Sequence, residues 1–143
     1  MGSKILAYVF YETSCKDAME FYQKALGGEV QIQQIKDTPI ADKFTPAQQN
    51  LVMHAELRLD GETVLMASDM MGDPVHSGNQ YQLMVNCGSE EELRRYFDSL
   101  SKGGTVIADV RKEFWGAVYG QLKDKFGIEW MLNFNLPQKS PAQ

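Results

Sequence analysis

The chain has only two histidines, His54 and His76, and only one of them has a neighbour suited to chemistry. His54 stands in Val52-Met53-His54-Ala55-Glu56-Leu57-Arg58. If that segment is a strand, alternation places His54, Glu56 and Arg58 on one face, with Val52 beside them. Met53, Ala55, Leu57 and Leu59 then take the opposite, apolar face. An imidazole beside a carboxylate can take or give a proton near neutral pH. The plainer reading is a half-buried strand residue satisfied by a neighbour. His76 follows Pro74 in a loop, so a metal shared by both histidines would require distant segments to converge.

The two cysteines, Cys15 and Cys87, lack CxxC and Cys/His spacing, and two free thiols in a reducing compartment are expected instead of a disulfide. Cys15 opens a helix, where a thiolate is favoured, but no second feature supports catalysis there. Its expected role is structural. Phosphate-cradling GxxxxGK[ST] and GxGxxG loops are missing, as is a GxSxG elbow. Asp69-Met70-Met71-Gly72-Asp73 lacks the spacing of a calcium loop.

Composition narrows the classes further. Net charge is -5 over 143 residues, with the Lys and Arg residues scattered. That disfavours a nucleic-acid partner or an anionic-membrane arm, both of which need concentrated positive charge. No apolar run reaches the roughly 20 residues of a membrane span, and no signal-peptide pattern opens the chain. A cytoplasmic location is expected.

The elements that must position these residues come in two copies. Ser14 to Leu26 ends in Gly27-Gly28, and Ser89 to Leu100 is followed by Gly103-Gly104. Each segment has apolar residues at helical spacing: Cys15, Ala18, Met19, Tyr22, Ala25 and Leu26 in one, Leu93, Tyr96, Phe97 and Leu100 in the other. Each opens on Ser with an acid three residues later, the pattern of a capping box, complete in the second copy only. Strand-forming runs precede each helix, at 5–10 and 81–85, and follow it, at 29–35 and 105–110. Two more strands close each half. The first pair, 51–59 and 63–68, turns at Asp60-Gly61. The second, 115–122 and 128–134, turns at 124–127. The order is βαβββ twice. One domain is expected, with module one at about 4–69, a linker at about 70–79, module two at about 80–135 and a frayed tail at 136–143. Residues 36–50 are an insertion in the first copy.

A doubled βαβββ unit with Gly-Gly after each helix resembles the vicinal oxygen chelate superfamily, which includes glyoxalase I, extradiol dioxygenases and bleomycin-resistance proteins. Within it, four motifs are similar to the PhnB-like branch: Ala18-Met19-Glu20-Phe21-Tyr22 with Leu26-Gly27-Gly28, Met53-His54-Ala55-Glu56-Leu57, Phe114-Trp115-Gly116-Ala117, and Asp124-Lys125-Phe126-Gly127-Ile128-Glu129-Trp130-Met131. The resemblance spans 4–135. It implies an α+β fold in which the two modules form an eight-stranded, open cup-like mixed sheet with helices outside. It also implies a homodimer, whose pairing would cover exposed strand edges.

Enzymes of this superfamily hold a divalent cation with His and Glu on the first and last strands of both modules. Carried over by the strand and Gly-Gly landmarks, those positions fall near Ala7, Met66, Gln82 and Met131. One step away lie Leu6 or Tyr8, and Tyr81 or Leu83. Thioethers suit soft copper(I), and the set lacks the anionic oxygen or imidazole that harder dications need. The expectation is therefore no metal and no cofactor. The branch's older label, a methyltransferase for a quinone precursor, would require S-adenosylmethionine, and no glycine-rich motif after a strand is present to hold it.

In the implied cup, His54 and Glu56 face the cleft. Strand alternation adds Met66 and Ser68 (with Val64), Gln82 (with Met84 and Asn86), and Met131 (with Glu129 and Asn133). Trp115 and Tyr119, with Ala117, form a fourth set if the register is right; Phe114, Gly116 and Val118 are the opposite register. The plain alternative for the Met and aromatic residues is core packing. A mixture of Met, Gln, Asn, Ser and Trp suits a flat organic molecule. The expected function is metal-free binding, with sequestration, of a small aromatic or drug-like compound through His54, Glu56, Met66, Ser68, Gln82, Trp115, Tyr119 and Met131. The alternative is a lyase, isomerase or dioxygenase with a displaced metal at His54, Glu56 and His76. A regulatory module whose cup binds a partner is a third reading.

Overall fold

The computed structural model describes residues 2–137 and divides into two compact units between His76 and Ser77. The first contains β1 (Ala7–Tyr11), α1 (Cys15–Leu26), β2 (Glu29–Gln34), β3 (Val52–Leu59) and β4 (Glu62–Asp69). The second contains β5 (Leu83–Asn86), α2 (Glu90–Leu100), β6 (Thr105–Glu113), β7 (Ala117–Lys123) and β8 (Glu129–Asn135). Sheet orders are β1-β4-β3-β2 and β5-β8-β7-β6, one topology used twice. In each, the first strand pairs in parallel with the last, and the other pairs are antiparallel. The α+β fold and the doubled βαβββ order are both present. The proposed tail falls mostly outside the described residues.

Each helix buries one stripe against its own sheet. On α1, Cys15, Ala18, Met19, Tyr22, Ala25 and Leu26 are buried, the same six that helical spacing selects. They pack on β2, β3 and β4, where Ala55, Leu57, Leu65 and Ala67 face them. Burying side chains as large as Met19 or Leu57 contributes about 1.5–3 kcal/mol each. Tyr22 brings a hydroxyl into this core, and Tyr11 Oη meets it at 2.8 Å. On α2, Leu93, Phe97 and Leu100 are buried, while Tyr96 stays partly exposed under the Arg95 guanidinium. Trp130 lies inside, 3% exposed, with its indole N–H donating to Asp124 at 2.9 Å.

Expectations from the sequence change at the helix caps, at Val52 and at Trp115. Ser14 makes no side-chain cap; the buried Asp69 carboxylate at the end of β4 accepts from the Cys15 amide (3.0 Å) and the Val52 amide (2.9 Å). A residue 54 positions away does the work of a local cap. The second helix is capped locally, Ser89 Oγ accepting from the Glu92 amide, but Glu92 reaches back to the Gly88 amide one residue further out. Val52 does not share the His54 face. A register shift opposite Gln33/Gln34 leaves Met53 unpaired and turns Val52, 1% exposed, into the core.

The third change moves Trp115. β6 runs on to Glu113, and Phe114-Trp115-Gly116 is the turn into β7, closed by Gly116 at φ 87° with its amide donating to Glu113 O. Positive φ suits glycine and ends the strand pattern that the aromatics suggest. Residues 36–50 hold two complete 3₁₀ turns and the end of a third, and the two ends of the segment are tied together by Gln34 Nε2 donating to Asn50 O and the Lys36 amide donating to Gln49 O.

The repeated Gly-Gly has a second purpose besides helix termination. Gly27 and Gly103 take positive φ (84° and 75°), but their partners Gly28 and Gly104 press against a neighbouring strand. A Cβ on Gly28 would lie 2.1 Å from the Arg58 carbonyl oxygen, and one on Gly104 would lie 2.1 Å from the Lys123 carbonyl oxygen. The helix-to-strand crossing is that close in both units.

Candidate functional site

Each sheet has one face under its helix and one face that its own unit leaves uncovered. In the first unit, register aligns Tyr8, Met66, Glu56 and Gln31 across β1, β4, β3 and β2. The adjacent row holds Phe10 with Ser68, and His54 with Gln33. His54, Glu56, Met66 and Ser68 therefore share a face, although Ser68 is only 6% exposed. Tyr8 and Phe10 stand on the same face with ring centroids 5.0 Å apart.

The polar groups form a chain. His54 Nε2 lies 3.5 Å from Glu56 Oε1, and Arg58 donates to Glu56 Oε2 at 3.0 Å. That hydrogen bond from Arg58, supported by His54, holds the Glu56 carboxyl below its ordinary value despite partial burial. Tyr8 Oη is 3.4 Å from His54 Nδ1. Tyr8 and Arg58 were absent from the expected site. Arg58 is readable from the β3 alternation; Tyr8 is not, because Tyr8, Phe10 and Tyr11 put aromatics on both faces of β1.

The second unit's open face is an amide network. Gln121 donates to Gln82 Oε1 at 2.9 Å, and Gln82 donates to Glu129 Oε1 at 3.2 Å. Because a carboxylate only accepts, Glu129 fixes which way Gln82 points. Asn133 donates to Asn86 and Asn135 at 3.0 and 3.1 Å. Met131 is in register with Met84 and Gln121, and Tyr119 with Asn133, so these residues share the face with Gln82. Trp115 reaches Tyr119 from the turn, edge to face at 6.1 Å, and Phe114 also meets it edge to face at 5.1 Å. Burial, with the Glu113 charge adding, holds the Tyr119 phenol above its usual value, so it remains neutral.

The metal positions implied by resemblance shift under the observed register. Ala7 pairs with Leu65, and the residue opposite Met66 on β1 is Tyr8. Opposite Met131 on β5 stands Met84, not Gln82. The first-and-last-strand sets are thus a phenol with a thioether, and two thioethers. Neither supplies anionic oxygen or imidazole to a hard dication, so these residues do not fit one. Among the described residues, no group of three or more His, Cys, Asp or Glu side chains is placed to hold a metal ion. Among them too, no helix is long and apolar enough to cross a membrane. Both cysteines are free and buried, and burial pushes the Cys15 thiol up to about 12 and the Cys87 thiol up to about 11. Neither is a ready nucleophile.

Known proteins share this sequence and arrangement. Protein YjdN of Escherichia coli K12 is 28% identical over 146 residues, covering 95% of this chain and 97% of that protein. The crystal structure of protein PA1353 from Pseudomonas aeruginosa superposes with a TM-score of 0.83 at 28% identity, covering 95% and 100% of the two chains. A glyoxalase/bleomycin resistance protein/dioxygenase family enzyme from Burkholderia phytofirmans PsJN has the same fold at 15% identity, with a TM-score of 0.60 over 93% of this chain and all of that one. Residues 3–133 match the family described as 3-demethylubiquinone-9 3-methyltransferase. The chain therefore belongs to that family and has the fold seen in the glyoxalase/bleomycin resistance protein/dioxygenase family enzyme.

Proposed function

We propose that the protein binds a neutral, planar organic molecule and carries no resident metal. The observation that carries this reading is the Trp115–Tyr119 pair standing beside Met131 and the Gln82–Gln121–Glu129 network on one open face. Aromatic edges and soft sulfur favour flat rings, and the amides offer directional hydrogen bonds. In the first unit Arg58 balances Glu56, so that face selects neither cation nor anion strongly.

The family's description names a methyltransferase, and the strand-to-helix junctions bear on it. They read Glu12-Thr13-Ser14 and Cys87-Gly88-Ser89, with one glycine between them. The Cys15 and Gly88 amides already donate to Asp69 and Glu92. Such junctions do not fit a nucleoside-bearing methyl donor of the kind cradled by glycine-rich loops. A lyase, isomerase or dioxygenase with a displaced metal gains no support from the donor sets above.

The test is a tryptophan-fluorescence titration with neutral bicyclic heteroaromatics, paired with elemental analysis of gently purified protein. Quenching is expected in the native protein and in Trp130→Phe. Trp115→Ala should lose the quenching and, by equilibrium dialysis, bind about two- to tenfold more weakly, the equivalent of losing a ring contact of roughly 0.5–1.5 kcal/mol. Quenching carried by Trp130 alone, or one tightly held dication per chain, would overturn the reading.

We also infer that the working form is a cytoplasmic homodimer. Buried free thiols suit a reducing compartment, and β1, β2, β5 and β6 are edge strands whose unpaired backbone invites coverage. Light scattering that returned the mass of a single chain, 16.2 kDa, would count against the dimer.

A further inference from the structure

The first unit's open face carries a second kind of chemistry, which adds a reaction to the binding reading. Glu56 Oε1 lies 3.5 Å from His54 Nε2, and a carboxylate can only accept. The proton of a neutral imidazole therefore sits on Nε2, leaving a lone pair on Nδ1. That lone pair faces Tyr8 Oη at 3.4 Å. Arg58 occupies the other carboxylate oxygen at 3.0 Å, which fixes the orientation of Glu56 and keeps it ionised. A base oriented by a third group, and hydrogen-bonded to a hydroxyl, is the arrangement by which proteins activate a proton acceptor. Gln33 and Gln31 stand opposite His54 and Glu56 on β2, with Met66 and Ser68 on β4, and the exposed Glu29 stands opposite Arg58, at the end of the face away from His54.

We propose that Tyr8 and His54 form a proton-transfer site for a neutral planar molecule with an acidic C–H or O–H, and that Glu56 and Arg58 are its positioning residues. Tyr8 Oη takes the molecule's proton while passing its own to His54 Nδ1. The bonding pair stays on the bound molecule, and the imidazolium forms beside the Glu56 carboxylate. Charge before the step is zero over Glu56, Arg58, His54 and Tyr8, so the site gains one positive charge as the molecule gains one negative charge. Tyr8 and His54 are both more than a third exposed, and flat Phe10 and Met66 adjoin them, so a ring can reach the phenol.

The full-length protein can be tested with 5-nitrobenzisoxazole, a flat neutral probe of general bases. Loss of its C3 proton is coupled to cleavage of the ring N–O bond, and the product is 2-cyano-4-nitrophenolate, read by its absorbance. We expect a saturable rate above buffer. It should fall about 100-fold in Tyr8→Phe and in His54→Ala, within the usual range for a general base. Imidazole in the buffer should restore rate to His54→Ala more than to the native protein. Glu56→Gln should lower kcat about tenfold with KM within about twofold, a split that a general loss of structure would not give. Circular dichroism checks each fold, and His54→Gln replaces His54→Ala if the latter fails to fold. A native rate equal to buffer, or a Tyr8→Phe or His54→Ala variant at the native rate, would overturn the proposal. Elimination absent while planar compounds still quench Trp115 overturns the relay and leaves the binding reading intact. Elimination present without that quenching does the reverse.

Discussion

Alanine at Gly28 or at Gly104 is expected to destabilise the protein by about 3 kcal/mol or more, enough to leave a marginally stable domain largely unfolded. The added Cβ would meet a backbone carbonyl oxygen at 2.1 Å in both cases, Arg58 O or Lys123 O, so no side-chain rotation relieves it. Gly28 carries the further burden of φ 83°. Gly27→Ala is the internal control. It shares the positive φ but has nothing within 4 Å of the new Cβ, so its cost should be only the left-handed penalty of roughly 1–2 kcal/mol. Urea denaturation of the three single variants checks this. Gly28→Ala within about 1 kcal/mol of the native protein would show that the crossing from α1 into β2 can relax against β3. That crossing also bears on the site, since the carbonyl in question belongs to Arg58, whose guanidinium holds Glu56.

The second large effect is expected at Asp69. Its buried carboxylate accepts from two backbone amides on separate elements, Cys15 at the start of α1 and Val52 at the start of β3. Leaving a buried donor unpaired costs about 1–3 kcal/mol, so Asp69→Ala should cost roughly 3 kcal/mol. Asp69→Asn should fall between, because one oxygen remains while the amide group opposes the other donor. A second readout follows from Cys15. Burial, with the Asp69 charge adding, pushes its thiol up to about 12. Removing the carboxylate and loosening the helix start should speed alkylation of Cys15 several-fold at pH 8. Unchanged stability together with unchanged labelling would show that water or another group satisfies the two amides.

These two positions also mark where sequence reading succeeds and fails. The Gly-Gly pairs are visible as a repeat, and left-handed backbone at Gly27 and Gly103 agrees with a helix stop. The carbonyl against Gly28 belongs to a strand 30 residues away, and no local pattern announces it. Asp69 is similar. Ser14 and Asp17 present a plausible local cap, and the structure uses a distant acid instead. Helical periodicity is legible because it is short-range: all six buried residues of α1 follow from spacing. The β3 alternation correctly groups His54, Glu56 and Arg58 but misplaces Val52, because a bulge shifts the period by one residue without a compositional sign. Phe114 and Trp115 read as strand formers, which places Trp115 on a strand; Gly116 is the sign that a turn intervenes. Tyr8 is not legible in the sequence, because its contact with His54 runs diagonally across β4.

The strand order has a consequence for the nascent chain. In the first unit β4, the last strand made, lies between β1 and β3, and its terminal Asp69 anchors the start of α1. The hairpin of β3 and β4 is local and quick to form, whereas β1 has no neighbour until β4 arrives. The ribosome must therefore deliver the whole first half before its N-terminal strand is protected. Translation at about 5–20 residues per second leaves that strand waiting for several seconds. Once Asp69 has emerged, every strand of the first sheet is in hand, and this unit completes its pairing while the second is still being synthesised. The second repeats the delay, with β5 waiting for β8, and exposes Met84 and Val85 meanwhile. Duplication has thus divided one long wait into two short ones.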